Sequence, residues 1–312
     1  MLLAKGLQDG SIGAWQLIDG APGSAAVSAS QVLQVHQDMV TCMLQAGSWH
    51  DARVFLITGS ADCSVRIWSL GRGLIKGASA LRQWAGCPLP PHPRRVLNGH
   101  GNVVKCLAAS ASLDVVVSGD ADGVCLIHSI SKGRMLRAFF HPDGLAILLL
   151  QISPVGDIFF CGEGARGVFM TDLHGLVIRH VDPTSSRAPL QTRASLSARR
   201  LPAVDTGISD GAAISCITLS DDGTLLLAGD AEGRVLVIDA RTLMLLRVFP
   251  RTCAGSVGEE GCGAVLSMAL SPCSNYLVVG TAGGELQVYS SLPQTSTPPH
   301  DSPPGAASPV SP

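Results

Sequence analysis

One hairpin recurs along this chain, and that recurrence limits its fold more than anything else in the sequence. "LITGSADCSVRIW", residues 56–68, is the clearest copy. Leu56 to Thr58 is strand-like, Gly59 to Cys63 is turn chemistry, and Ser64 to Trp68 alternates polar with apolar. Gly6, Asp9 and Trp15 repeat Gly59, Asp62 and Trp68 at a displacement of 53 positions, and Gly119, Asp122 and His128 repeat them at 60. Gly229, Glu232 and Ile238 form another copy, and Gly280, Gly283 and Tyr289 the last. "DIFFCGEGARGVFMTDL", aligned on Gly162 with one extra turn residue, is a degenerate copy. A fixed supersecondary unit in six copies marks a repeat architecture.

The unit is larger than a hairpin. Before the second copy stand His36 and an alternating strand, "MVTCML", and His100 precedes "VVKCLAAS" at the same offset. "ISCITLS" and "AVLSMALS" are the same strand without a histidine. After the hairpins come "QVLQVH", "RRVLNGH", "RMLRAFF", "LVIRHV" and "LMLLRVF". Each full unit is therefore four antiparallel strands, a to d. Such a sheet cannot cover both its faces alone, and radial stacking against its neighbours covers them. The expected fold is all-β, a propeller with about six blades visible. The first lacks its inner strand, because Met1 falls inside strand b, and the last lacks its outer strand after Tyr289. A seven-bladed ring needs one more blade besides those two strands, so the chain reads as the C-terminal part of a longer protein or as the product of a truncated gene model. The propeller is expected over residues 1–290, with insertions at 71–93 and 182–210. The second insertion carries Arg187, Arg193, Arg199 and Arg200, with Ser195 after an arginine, and reads as a solvated loop. Residues 291–312 are rich in proline and serine, with Ser-Pro steps at Ser302, Ser308 and Ser311, and are expected to be disordered.

Composition excludes several functions. A net charge of −2 gives no basic field for nucleic acid. The longest apolar run, "LAILLL", is too short to span a bilayer, and the N-terminus has no signal-peptide core, which favours a cytoplasmic protein. Among 10 cysteines there is no C-x-x-C pair and no zinc-ligand spacing. Cys42, Cys106 and Cys216 share one slot of the unit, filled by Met268 in the last copy, which points to core packing. Cys253 and Cys262 are the one pair with a spacing open to redox chemistry. The inner strands carry no acid, so no catalytic residue, cofactor or metal site is expected.

"GSADCSVRIW" with its upstream histidine and strand-b threonine resembles a WD40 repeat. In that family His, Ser/Thr, Asp and Trp hydrogen-bond in a chain across the blade. Carried over, the second blade has His36, Thr58, Asp62 and Trp68. The third has His100, Ser118 and Asp122, with His128 in the tryptophan slot. The first keeps Asp9 and Trp15, with Lys5 in the Ser/Thr slot. These residues are expected to be structural, since a buried polar network stabilises only when every member is satisfied. The segment 96–139, with "SLDVVVSG" and "CLIHSI", together with the order of the last two repeats, is similar to the C-terminal WD40 region of BEACH-domain, neurobeachin-like proteins. That resemblance covers roughly residues 35–290. It implies a non-catalytic protein–protein scaffold in vesicle trafficking or membrane-protein sorting. Its partners would be proteins or peptides, with a BEACH domain upstream in the same chain and endomembrane contact only through partners. The loops before strand a, with Gln37, Asp38, Gly101 and Asn102, would lie near the top rim. The rival is a generic WD40 adaptor, such as a ubiquitin-ligase substrate receptor or a G-protein β-like subunit. A phosphopeptide reader of that kind needs a cationic rim, for which Lys5 and Arg66 are the main candidates.

Overall fold

The alternating runs become strands and the glycine–aspartate clusters become the turns between them. The computed structural model describes residues 2–19, 25–47, 54–70, 89–90, 92–181, 212–249 and 263–290. Among these residues it holds six antiparallel sheets and no helix. The first sheet is β1 (Leu2–Gly6), β2 (Ser11–Asp19) and β3 (Ala25–Gln34). The second is β4 (Val40–Ala46), β5 (Val54–Ser60), β6 (Val65–Leu70) and β7 (Arg95–Leu97). The third is β8 (Val104–Ser110), β9 (Val115–Asp120), β10 (Val124–Ser129) and β11 (Met135–Phe140). The fourth is β12 (Ile147–Ile152), β13 (Ile158–Gly162), β14 (Val168–Thr171) and β15 (Val177–Val181). The fifth is β16 (Ile214–Leu219), β17 (Leu225–Asp230), β18 (Val235–Asp239) and β19 (Leu245–Phe249). The sixth is β20 (Val265–Leu270), β21 (Tyr276–Thr281) and β22 (Leu286–Ser290). Within each sheet the strands lie in chain order. The connection into each first strand and the middle hairpin turn therefore emerge at one end, called the upper end below. Gly10, Gly123, Gly233 and Gly284 hold the same place in that turn with φ near +80°, a left-handed conformation that costs glycine little. Cys63 holds it in the second sheet at φ 63°.

Each sheet packs on the next through its own apolar cluster. Ile12 and Ala14 meet Leu56 and Trp68, and Ile57 and Ile67 meet Val104. Val117 and Ile127 meet Phe160, Cys161 and Val168 meet Ile214, and Leu227 and Val235 meet Val279. Close approach is set at one repeated point. A Cβ added at Gly6, Gly59, Gly119 or Gly229 would stand 2.5, 2.8, 2.7 or 2.6 Å from the side chain of Val40, Val104, Ile147 or Val265. Each of those four residues opens the following sheet's first strand. Thr41 and Ser215 add a hydroxyl bridge there. Ser215 Oγ donates to Gly229 O at 3.1 Å and to Val265 O at 2.5 Å, and Thr41 does the same to Gly59 O and Val104 O. Gly229→Val overfills this notch and is expected to cost about 1–3 kcal/mol. It should lower the urea midpoint without changing the slope; an unchanged midpoint would mean that the sheets slide apart freely.

Two alignments shift by one residue. In the fourth sheet Phe160 pairs with Phe169, so Cys161, not Gly162, holds the glycine slot, and Ile214 packs over it. In the sixth sheet Ser267, not Met268, is opposite Gly280, where Cys42, Cys106 and Cys216 are opposite their glycines. Met268 faces the fifth sheet instead.

The outer strands share a further register. Arg95, Arg137, Arg179 and Arg247 pair with Ile67, Ile127, Met170 and Val237, which are equivalent positions of the third strands. Arg95 and Arg179 reach the next sheet's turn, donating to Ser131 O at 3.2 Å and Thr242 O at 3.0 Å. No acid occurs in β7, β11, β15 or β19. Most of the 71–93 insertion is outside the described residues, but Leu89 at its end is buried between the first two sheets. The 182–210 insertion, Cys253, Cys262 and the 291–312 tail also lie outside the described residues.

Candidate functional site

The polar residues singled out in the sequence gather at the upper end, where strand-b hydroxyls meet the histidines that enter each sheet. In the second sheet His36 Nδ1 is 2.9 Å from Asp62 Oδ2, and His36 Nε2 is 2.8 Å from Thr58 Oγ1. Trp68 Nε1 donates to Thr58 Oγ1 at 3.4 Å. The donors fix one direction for the chain. An indole N–H can only donate, so Thr58 accepts from Trp68 and gives its own proton to Nε2, leaving Nδ1–H to donate to Asp62. Asp62 also accepts from the backbone N–H of Gln37 and Ser64 and from Ser64 Oγ, while Arg66 Nη2 lies 3.7 Å away. Burial alone would raise the Asp62 pKa, but the Ser64, Gln37 and His36 hydrogen bonds outweigh it and hold the carboxyl well below the usual range. Burial lowers the His36 pKa, against the pull of Asp62.

The third sheet corrects the expected assignment. Asp120, not Asp122, takes His100, at 2.8 Å from Nδ1, while His100 Nε2 meets Ser118 Oγ at 2.7 Å. Asp120 stands in the slot of Ser60, directly after the strand-b glycine, and its other oxygen accepts from the N–H of Asp122 and Val124. Asp122 is exposed at the turn and accepts from Asn102 Nδ2 at 2.8 Å. His128, in the tryptophan slot, turns to Asn98 O at 3.4 Å.

The first sheet does not assemble the set. Asp9 accepts from Ser11 N and Oγ within its own turn, Lys5 is exposed, and the Trp15 ring lies across Gly13. The rim residues sit on the entering connections. Gln37, Asp38 and Gly101 are exposed and Asn102 is half-buried; Asp38 accepts from Met39 N, and its carbonyl accepts from Ser60 Oγ.

Three groups escaped the sequence reading. Asp230 is fully buried and bound by Arg234 Nε at 2.6 Å, and Arg234 also reaches Glu232 at 3.2 Å. The shared "GDADG" and "GDAEG" were the signal for Asp120 and Asp230 together. His141 opens the fourth sheet as His36 and His100 open theirs, but with two more residues before its strand. It is buried, accepts from Asp143 N at 3.1 Å, and stands edge-on to Phe160 and Phe169 at 5.9 and 4.8 Å. Phe160 fills the Thr58 slot, so an aromatic cluster replaces the polar chain.

Burial lowers the pKa of His36, His128 and His141 alike. A histidine whose folded pKa lies below 6.5 takes up protons more readily when unfolded. Its contribution is complete above pH 6.5 and is lost as the pH falls through the folded value. The melting temperature is therefore expected to fall between pH 7.5 and 5, and to fall less in His141→Gln. A flat profile over that interval would contradict the burial of all three rings.

The buried thiols are suited to packing. Burial pushes Cys42 and Cys216 up to about 11 and raises Cys106, Cys125 and Cys161 as well, whereas Cys273 is exposed and its hydrogen bond with Ser271 lowers it; the described cysteines are free. No group of three His, Cys, Asp or Glu side chains among the described residues has metal-holding geometry. No helix among them is long and apolar enough to cross a membrane.

Comparison with known proteins agrees with this architecture. BEACH domain-containing protein B of Arabidopsis thaliana is 24% identical over 265 residues, covering 83% of this chain and 9% of that protein. A putative neurobeachin homolog of Caenorhabditis elegans is 26% identical over 262 residues, again 83% and 9%. The chain thus spans about 9% of the length of these relatives. A chain in the crystal structure of a mitotic checkpoint complex superposes with a TM-score of 0.61 at 15% identity, covering 93% of this chain and 71% of that one, a likeness of fold. The WD domain, G-beta repeat, matches residues 205–239. The neurobeachin β-propeller model matches residues 15–193, more than half of the 312, and the chain belongs to that WD40 propeller family.

Proposed function

We propose that this chain is the protein-binding propeller of a BEACH-type protein, a non-catalytic scaffold in vesicle trafficking or membrane-protein sorting. The family match over residues 15–193 carries this reading. Its partners are proteins or peptides, a BEACH domain belongs to the same polypeptide, and contact with endomembranes runs through partners from the cytoplasmic side. The His–Thr–Asp–Trp chain serves the sheet rather than a substrate. Thr58 and His36 are buried beneath Trp68, and their hydrogen bonds are used among themselves.

Binding takes place at the upper end, around Gln37, Asp38, Gly101 and Asn102. That end carries Asp38, Asp122, Asp143 and Glu163 in its connections against exposed Lys5 and Arg166, while Arg66 and Arg234 are held by Asp62 and Asp230. Such a surface suits neutral or basic segments better than phosphopeptides, which weakens the substrate-receptor reading. The test is proximity labelling in cells with the full polypeptide and with an Asp38→Lys/Asn102→Ala variant. Recovery of vesicle-coat or sorting proteins, lost in the variant, is expected. Recovery of ubiquitin-ligase subunits alone would overturn the trafficking assignment.

A further inference from the structure

The turns from first to second strand emerge at the end opposite the upper one, and a cavity lies among them. The first strands β8, β12 and β16 run side by side. Where they finish, the third, fourth and fifth sheets surround a space of about 290 Å³. Ser110, Ser153 and Ser220 stand at the three strand ends and line it. Each serine has a structural duty in its own turn. Its Oγ accepts a backbone N–H, from Leu113 at 3.4 Å, Asp157 at 2.9 Å and Leu225 at 2.9 Å.

The three differ in where the hydroxyl proton can go. Ser110 Oγ is 3.0 Å from Ser112 Oγ, and Ser220 Oγ donates to Asp222 at 2.5 Å. In the fourth sheet Val155 takes the place of those two partners. Ser153 is 1% exposed, and among the described residues its O–H has no acceptor. Beside it Gln151 Nε2 donates to Ile217 O at 3.3 Å, and the amide oxygen has no partner among the described residues. Asp221 is exposed at the mouth and has neither an ion pair nor a hydrogen bond among them. It is the single charged group of the lining, while Ile152 and Leu219 supply apolar wall.

We propose that this cavity binds an arginine or lysine residue of a partner peptide. Two acceptors, one of them charged, and one buried donor are what the lining leaves unused. The cationic head donates to Asp221 and Gln151 Oε1, and its aliphatic stem lies on Ile152 and Leu219. The Ser153 hydroxyl serves a carbonyl of the same residue. An anion finds no cation here. A bare amine or guanidine leaves the Ser153 donor unmatched, which a buried hydroxyl disfavours. The inference is independent of binding at the upper end.

Disulfide tethering on the full-length polypeptide tests it. Ser112 is exposed at the same mouth, so Ser112→Cys places a thiol there without touching the packed strands. The probes are disulfides of N-acetylated arginine, lysine, norleucine and glutamate amides on one linker, with a bare alkylguanidine as the fifth. Capture at position 112 is read by mass after digestion and scaled to capture at the exposed native Cys273. The arginine or lysine probe should exceed norleucine and glutamate by about three- to tenfold, and should also exceed the bare guanidine. The advantage over norleucine should disappear in Asp221→Asn, a surface substitution. The advantage over the bare guanidine should disappear in Ser153→Ala. Equal capture of the four acetylated probes, or capture of none, overturns the proposal. So does a basic preference that survives Asp221→Asn. A bare guanidine captured as well as the arginine probe overturns the peptide assignment in favour of a free cation. None of these results bears on the upper end, which is tested through Asp38 and Asn102.

Discussion

Asp120→Ala is expected to destabilise the protein by about 3–5 kcal/mol, whereas Asp122→Ala, two residues away, should change stability by less than about 0.5 kcal/mol. The difference comes from what each carboxylate holds. Asp120 is fully buried and binds His100 Nδ1 together with two backbone N–H groups. Removing it strands all three donors away from water, and buried donors without acceptors carry the full desolvation cost. Asp122 is exposed, and its bond to Asn102 can be replaced by solvent. Chemical denaturation of both variants decides the matter. Equal losses, or the larger loss in Asp122→Ala, would put the histidine's partner back where the repeat alignment had it.

Trp68→Ala should cost about 3–5 kcal/mol, within the range for deleting a large core aromatic. Trp68 is among the largest fully buried side chains and fills the space between the first two sheets against Ile12, Ala14 and Leu56. Its N–H also completes the chain through Thr58 to His36, so truncation leaves Thr58 short of a donor as well as opening a cavity. Trp15→Ala in the 312-residue chain removes a half-buried ring and should cost well under half as much. Comparable losses from the two substitutions, measured by thermal and urea unfolding, would mean that the first sheet's far face is already closed.

The hairpin repeat made most of the fold legible, because strand alternation and turn residues are local signals. So were His36, Thr58, Asp62 and Trp68, where each residue stands at the spacing of a regular repeat. The errors have separate causes. The β-bulge near the start of the first strand is common to the second to sixth sheets and does not set the last one apart; aligning "LSM" with "VTC" counts one residue too far from Val265, the equivalent of Val40, and so sets Met268 opposite Gly280 in place of Ser267. The two additional residues before β12 concealed His141, and the substitution of Phe160 for a hydroxyl removed the pattern that would have exposed it. Asp120 was missed for a different reason. A carboxylate is longer than the Ser60 hydroxyl, so it reaches the same histidine from a neighbouring position, and spacing alone cannot tell the two solutions apart.

The row of arginines at one register of the outer strands has a bearing on how these molecules keep apart. A propeller's rim is a set of unsatisfied strand edges, each a template on which a neighbouring molecule can add itself. Arg95, Arg137, Arg179 and Arg247 place a positive charge on each of four such edges, with no carboxylate in those strands to neutralise it. Cations beside a strand edge are one of the devices by which sheets resist edge-to-edge addition. Here two of the four guanidinium groups are also tied to the next sheet's turn, and Arg247 lies over Phe249 of its own strand.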